Sequence, residues 1–250
     1  MALRLIVHAG FHKTGTTSIQ KALDTHRAYI ADNDAIILRA DMMALCEAAR
    51  AYSVSRSPLD LGIVQYEASV LAEAWPDAGA VLLSSEDLSG HMPGRRGLRT
   101  YVAAPSLARA MADTWQAACP GIDIAFVYTT RPAAPWLASC HMQHLRSTRM
   151  TLSQDGYAQA FGASADLDGV VVSTRAALPH ASVHSLALDD TMLLRLLTWA
   201  GVPEQLHPKL PHRNKGEPEE MRAALRDINL SDIDDAAARK ARRALLQRKG

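Results

Sequence analysis

No apolar stretch of this chain approaches the ~20 residues that a bilayer-spanning helix needs, which excludes an integral membrane protein of that kind. Nor is there an excess of either charge. The 27 lysines and arginines stand against 26 acidic residues, a formal net charge of +1, which argues against a general nucleic-acid binder. Cysteine is scarce: Cys46, Cys119 and Cys140 form an odd, scattered set with no Cys-x-x-Cys pair. That is neither a disulfide framework nor a zinc pattern, and it fits a reducing compartment. There is no internal repeat, low-complexity tract or evident linker. The apolar start, residues 1–7, runs straight into a glycine turn, without the longer apolar core and small-residue cleavage site of a secretory signal. It reads as a first strand, and the expected location is cytoplasmic.

What is present is globular in character, with 48% hydrophobic and 21% charged residues. A chain of 250 residues buries roughly 70–75% of its unfolded surface and needs no disulfide or metal staple. A single domain over 1–250 is expected, with 217–250 a C-terminal helical extension. The basic run 239–243 and the end 248–249 carry no acid, and read as a solvated helix face or as a patch that attracts anions.

Periodicity predicts strands at 3–8, 35–38, 79–85, 122–130 and 181–188. Helices are predicted at 16–30, 105–118, 135–147, 190–200, 218–228 and 231–247. The segment 167–178 is ambiguous. Val170, Val171 and Val172 favour a strand, whereas Leu167, Val171, Thr174 and Leu178 have helical spacing, and helix is the assignment made. Strands alternating with helices give an α/β fold: three layers, α/β/α, with a largely parallel central sheet and a P-loop-like strand–turn–helix at its start. Ligands of such sheets sit at the carboxyl ends of the strands, which groups the loops 9–17, 84–91 and 129–139.

The first of these loops is Gly10-Phe11-His12-Lys13-Thr14-Gly15-Thr16-Thr17. A glycine turn leading into a helix N-terminus aims backbone N–H groups and about half a positive charge at one point. Lys13 adds a cation and three threonines add hydroxyls, so the loop is a candidate cradle for phosphate or sulfate. Gly10 and Gly15 have P-loop spacing, but the lysine that should follow the second glycine is missing, since residue 16 is threonine. The loop is therefore expected to hold an anion without triphosphate geometry.

The segment from His12 to Ser18 resembles the 5′-phosphosulfate loop of the sulfotransferase family, most closely its bacterial branch. The resemblance extends to Arg131 at the end of the best strand, followed by Ser139 eight residues later, a spacing that family uses for the donor's 3′-phosphate. It implies transfer of a sulfuryl group from 3′-phosphoadenosine 5′-phosphosulfate to a hydroxyl or amine of a carbohydrate or small-molecule acceptor, without a metal. His12, Lys13, Thr14, Gly15, Thr16, Thr17, Arg131 and Ser139 would hold the donor, with Arg213, Lys215 and Gly216 in a late basic turn that covers the nucleotide.

Lys13 would also steady the leaving phosphate oxygen. The acceptor needs a base at a strand end facing the cradle. Glu86, directly off the third strand, is preferred over His91, and Asp87 comes third. His8 alternates with apolar residues and reads as core. His141, Gln143 and His144 read as substrate-side or surface, not metal-binding. Two other readings stay open: a P-loop-type kinase or hydrolase with a shifted lysine, and a non-catalytic nucleotide-binding protein. The acceptor and the oligomeric state are not specified by these motifs.

Overall fold

A computed structural model describes residues 3–27, 35–75, 79–189, 191–199, 204 and 218–247. The chain forms two compact units, one of Met1–Arg131 with Asp166–Pro211 and the other of Pro132–Ala165 with His212–Gly250.

The first unit is built on a five-stranded sheet. The strands are β1 (Arg4–His8), β2 (Ala35–Leu38), β3 (Ala80–Ser84), β4 (Asp123–Thr130) and β5 (Ser182–Ala187). Their order is β2-β3-β1-β4-β5 and every pairing is parallel. Strands covered on both faces have no polar side to show, so they read as continuous apolar runs. β4 is the clearest case, buried from Ile124 to Thr130. The helices are α1 (Thr16–His26), α2 (Met43–Ser55), α3 (Pro58–Ala72), α4 (Ala104–Ala118), α7 (Leu167–Ala177) and α8 (Met192–Trp199).

One face of the sheet, with Ile6, Leu82, Val127 and Leu186, packs on Ile19 and Leu23 of α1 and on Met192, Leu193, Leu196 and Leu197 of α8. On the other face the Trp115 ring of α4 lies 6.3 Å from Phe126, whose ring is 6.5 Å from Tyr128. The buried Trp115 indole donates to the Ala68 carbonyl of α3 at 3.0 Å, so its one polar atom is satisfied. Leu107, Met111 and Trp115 are each fully buried. At about 1.5–3 kcal/mol per large side chain, that stripe supplies most of what holds α4 on the sheet. The architecture is the expected three-layer α/β/α.

The ambiguous segment is the helix α7. The Asp166 side chain accepts the Gly169 N–H at 2.9 Å as an N-cap, and Leu167, Val171 and Thr174 form its buried face. Capping and burial outweigh the three-valine run. Ahead of α8, Asp189 accepts from the Thr191 N–H at 2.8 Å, a side-chain turn that leads into the helix and not an N-cap of the Asp166 kind. Two helices, α2 and α3, occupy a stretch in which the sequence suggested no element.

In the second unit α5 (Ala133–Ser147), α9 (Glu219–Leu230) and α10 (Asp235–Gln247) share a core around Met142, Leu145, Met221 and Leu225, and α6 (Gln154–Phe161) packs on α5. Buried Asn229 ties them together, donating to the Leu145 and Met150 carbonyls at 3.1 and 3.0 Å and accepting from Arg242 at 2.6 Å. Arg242, from the basic run, is thus an interior residue and not part of a solvated face. Among the described residues no helix is long and apolar enough to cross a membrane.

Candidate functional site

Three loops leave the carboxyl end of the sheet at its centre. His8 pairs with Ser84 of β3 on one side and Val127 of β4 on the other, so β1, β3 and β4 run out at one edge. The chain winds from β1 outward to β2 and back through β3, then crosses to β4 and β5. β1 is therefore the topological switch point, where a crevice opens.

The loop after β1 is shaped by backbone sign changes. Lys13 has φ 68° and Gly15 has φ 94°, while Thr14 between them is not in the left-handed region. Alternation of this kind turns successive N–H groups toward a common centre, an anion-binding nest. α1 then starts with no side-chain cap and no acidic residue in its first turn. The first N–H groups of a helix have no carbonyl one turn back to receive them, so those of Thr16 and Thr17 point out of the helix end. Gly10 is demanded by crowding, since a Cβ there would lie 2.5 Å from Thr129 Oγ1 and 2.9 Å from His8 Nε2.

The threonines divide their labour. Thr14 is fully buried, its hydroxyl donating to the Phe11 carbonyl at 2.5 Å and meeting Thr129 Oγ1 at 2.5 Å. That side chain holds the loop's shape and leaves its backbone as the part that faces a ligand. Thr16 is buried with its methyl against Gly10, whereas Thr17 is exposed. Lys13 is half-buried. Arg131, 118 residues further on, reaches the same loop: its guanidinium donates to the Lys13 carbonyl at 3.3 Å. The guanidinium of one loop is therefore tied to the backbone of the other.

The loop after β3 turns through a 3-10 helix, Glu86–Ser89, capped by the Ser85 hydroxyl. Glu86 is half-buried and accepts from Gln20 Nε2 of α1 at 2.9 Å. Asp87 is buried among three nitrogen groups: Arg39 Nε at 2.6 Å, Arg50 at 3.3 Å and His12 Nε2 at 3.4 Å. Burial alone would raise its pKa, but His12, Arg39 and Arg50 pull it down to about 2. So stabilised a carboxylate is a poor proton acceptor at neutral pH. His91 follows Gly90, and its N–H donates to the Ser53 hydroxyl at 3.0 Å. Burial, with Arg50 and Arg95 nearby, lowers the His91 pKa, so the ring is neutral at pH 7 and able to accept a proton. His12 is held on its other side by the Tyr101 hydroxyl, 3.1 Å from both its N–H and its Nδ1.

His8 is the buried residue that its alternation predicts, with no exposure. Its Nδ1 meets the Ser84 hydroxyl at 2.7 Å, and its Nε2 has no partner among the described residues. Burial, against the opposing pull of Glu86, lowers its pKa to about 4, so it is a neutral ring beneath the cradle.

No protein-family model matches this chain, and no curated protein matches it.

Ser139 is half-buried on α5, in the second unit. Arg213, Lys215 and Gly216 lie outside the described residues. His141 and His144 are buried, not at the surface, and their rings pack 5.3 and 5.7 Å from Tyr157. Among the described residues no group of three or more His, Cys, Asp or Glu is arranged to hold a metal. Sequence reasoning did not find Arg39, Arg50, Gln20, Tyr101 or Thr129. Arg39 had a usable signal, since it directly follows a strand as Arg131 does. Arg50 and Gln20 sit in helices, Tyr101 in a loop and Thr129 in β4, with no local mark of their role.

Proposed function

We propose that this chain is a sulfotransferase that moves a sulfuryl group from 3′-phosphoadenosine 5′-phosphosulfate to a hydroxyl or amine of a carbohydrate or small-molecule acceptor. The observation that carries the reading is the bond from Arg131 to the Lys13 carbonyl, which joins the two loops the donor's two phosphate ends require. The nest from Lys13 to Gly15, the uncapped start of α1 and the crowded Gly10 supply the pocket shape an oxyanion fits.

When bound, the donor supplies an activated sulfuryl group on a phosphate leaving oxygen. The amides of the 13–17 loop hold that phosphate by charge-assisted hydrogen bonds. Lys13 neutralises charge gathering on the leaving oxygen, a task worth most where water is excluded. Arg131 takes the 3′-phosphate, for which a planar guanidinium fork is suited. Glu86, held by Gln20 and half open, takes the acceptor proton. His91 is the second candidate because its ring is neutral. Asp87 drops out: its charge is committed to Arg39, Arg50 and His12. The same commitment weighs against a magnesium-dependent kinase, in which Asp87 would have to serve the metal. None of the three cysteines is in a disulfide, in keeping with a cytoplasmic location.

Two measurements test the reading. Thermal shift with 3′,5′-adenosine bisphosphate should raise Tm without magnesium, while stabilisation only by magnesium-ATP points to a kinase or hydrolase. Transfer of radiolabelled sulfur to an acceptor library should then give a labelled product. Stabilisation without transfer to any acceptor would leave a nucleotide-binding protein.

A further inference from the structure

Four arginines gather at the loop that follows β3, the strand beside β1 and its cradle. Arg39 directly follows β2, whose last residue, Leu38, pairs with Ser84 at the end of β3. Arg50 lies on α2 with its side chain 18% exposed. Both guanidiniums share the buried Asp87 carboxylate, which His12 of the cradle loop also approaches. Glu47, itself 58% exposed, takes Arg50 as well. Arg95 and Arg96 come from the turn beyond His91. Around the His91 ring stand Arg50, Arg95 and Arg96, with Asp87 the opposing acid. One sign of charge gathered in this way repels itself and draws an anion.

The backbone fixes this turn. Gly90 is pressed against α2, where a Cβ would lie 2.5 Å from the Ser53 Cβ. Further on, the Gly94 N–H donates to the Leu98 carbonyl at 2.8 Å and the Leu98 N–H to the Arg95 carbonyl at 2.9 Å. Gly94, Arg96 and Gly97 have φ of 90°, 48° and 79°. Glycine suits two of these left-handed positions, and at the third an arginine bears the steric cost of its Cβ. Arg96 is exposed and makes no hydrogen bond or ion pair among the described residues. The fold itself therefore gains nothing from having an arginine at that position.

We propose that Arg95 and Arg96, with Arg50 behind them, form an acceptor subsite beside His91, and that the acceptor is a hydroxyl compound that also carries a carboxylate. That the ligand is an acceptor rests on the sulfotransferase reading; that the site takes an anion does not. All four cations are arginines, whose planar fork matches a carboxylate in a way a lysine ammonium does not. Asp87, held between Arg39 and Arg50, already shows such a group bound at this edge. Glu86 and His91, the two candidate bases, belong to the same loop, so an acceptor anchored by its carboxylate presents its hydroxyl next to them.

The test uses two matched pairs of probes: methyl glucuronide with methyl glucoside, and 4-hydroxybenzoate with 4-hydroxybenzamide. In transfer of radiolabelled sulfur, kcat/KM should favour the carboxylate of at least one pair by about tenfold, with the difference in KM. Arg95→Gln and Arg96→Gln should each reduce that ratio, and together abolish it, while the Kd of 3′,5′-adenosine bisphosphate stays the same. A ratio does not respond to partial loss of folded protein. Arg96→Gly relieves the left-handed strain, so it should reduce the ratio with Tm no lower than wild type. If none of the four probes is sulfated, their thermal shifts decide. Carboxylates that raise Tm above their neutral partners, and no longer do so in the double Gln variant, uphold the anion site and remove only the transfer. Equal shifts within both pairs, or a preference for the neutral members, overturn the proposal. So does a double variant that weakens bisphosphate as much as carboxylate, which would give these arginines to the donor.

Discussion

Replacing Asp87 with Asn keeps the shape of the side chain and removes its charge from between two guanidinium groups and the His12 ring. The magnitude follows from the native carboxylate. Its pKa falls from an ordinary 3.8 to about 2, the contribution of His12, Arg39 and Arg50 exceeding the cost of burial. At ~1.36 kcal/mol per tenfold in acidity, that is about 2 kcal/mol of folding stability at neutral pH. The side chain is 7% exposed, so solvent screening removes little of it. The variant also leaves Arg39 and Arg50 without their central counter-charge, so about 2–3 kcal/mol is the expected loss at pH 7.

The sign with pH is fixed. A group more acidic in the folded chain stabilises it above the unfolded pKa, near 4, and that stabilisation is lost as pH falls through about 2. The assay is urea denaturation of wild type and Asp87→Asn from pH 7 down to 2.5, followed by tryptophan fluorescence. Trp75, Trp115 and Trp199 lie in the same unit as Asp87. The difference between the two proteins should be constant from pH 7 to 5 and shrink below 4, while contributions common to both cancel. A difference under about 0.5 kcal/mol at pH 7, or one that does not change down to pH 2.5, refutes the charge network as described.

Lys13→Ala should lower turnover by about 10²–10³ through the lost stabilisation of the leaving oxygen, with the fold retained on circular dichroism, and near-normal turnover removes Lys13 from the chemistry. Arg131→Ala should weaken binding of 3′,5′-adenosine bisphosphate far more than binding of 5′-AMP. Equal weakening of the two in calorimetry would mean that the residue's task is holding the Lys13 carbonyl. Glu86→Gln should cut turnover by about 10²–10⁴ with donor affinity unchanged, and His91→Ala should have the smaller effect. The reverse order of effects would make the histidine the base.

Segments that carry a local signature were legible in the residues alone. The strand, glycine turn and helix of residues 3–27 were legible because apolar run, Gly10, Gly15 and helical spacing sit within a few residues of one another. α7 was legible because its cap and its buried face both lie within the segment. α3 was not, because with apolar residues on opposite faces its pattern has no single period. α2 begins at Met43, and Met42 before it offers no side-chain cap, so nothing marks its start.

The wiring of the site depends on long-range contacts. Thr14 bonds Thr129, Arg131 bonds Lys13, and Asp87 gathers His12, Arg39 and Arg50. These partners lie 37 to 118 residues apart. A parallel sheet has to bring the carboxyl ends of β1, β3 and β4 to one edge, and each crossover between them passes through helices whose length has no bearing on which side chains finally meet. A side chain's partner across that edge is set by register and by the crowding around Gly10, and neither is written in the residues next to it.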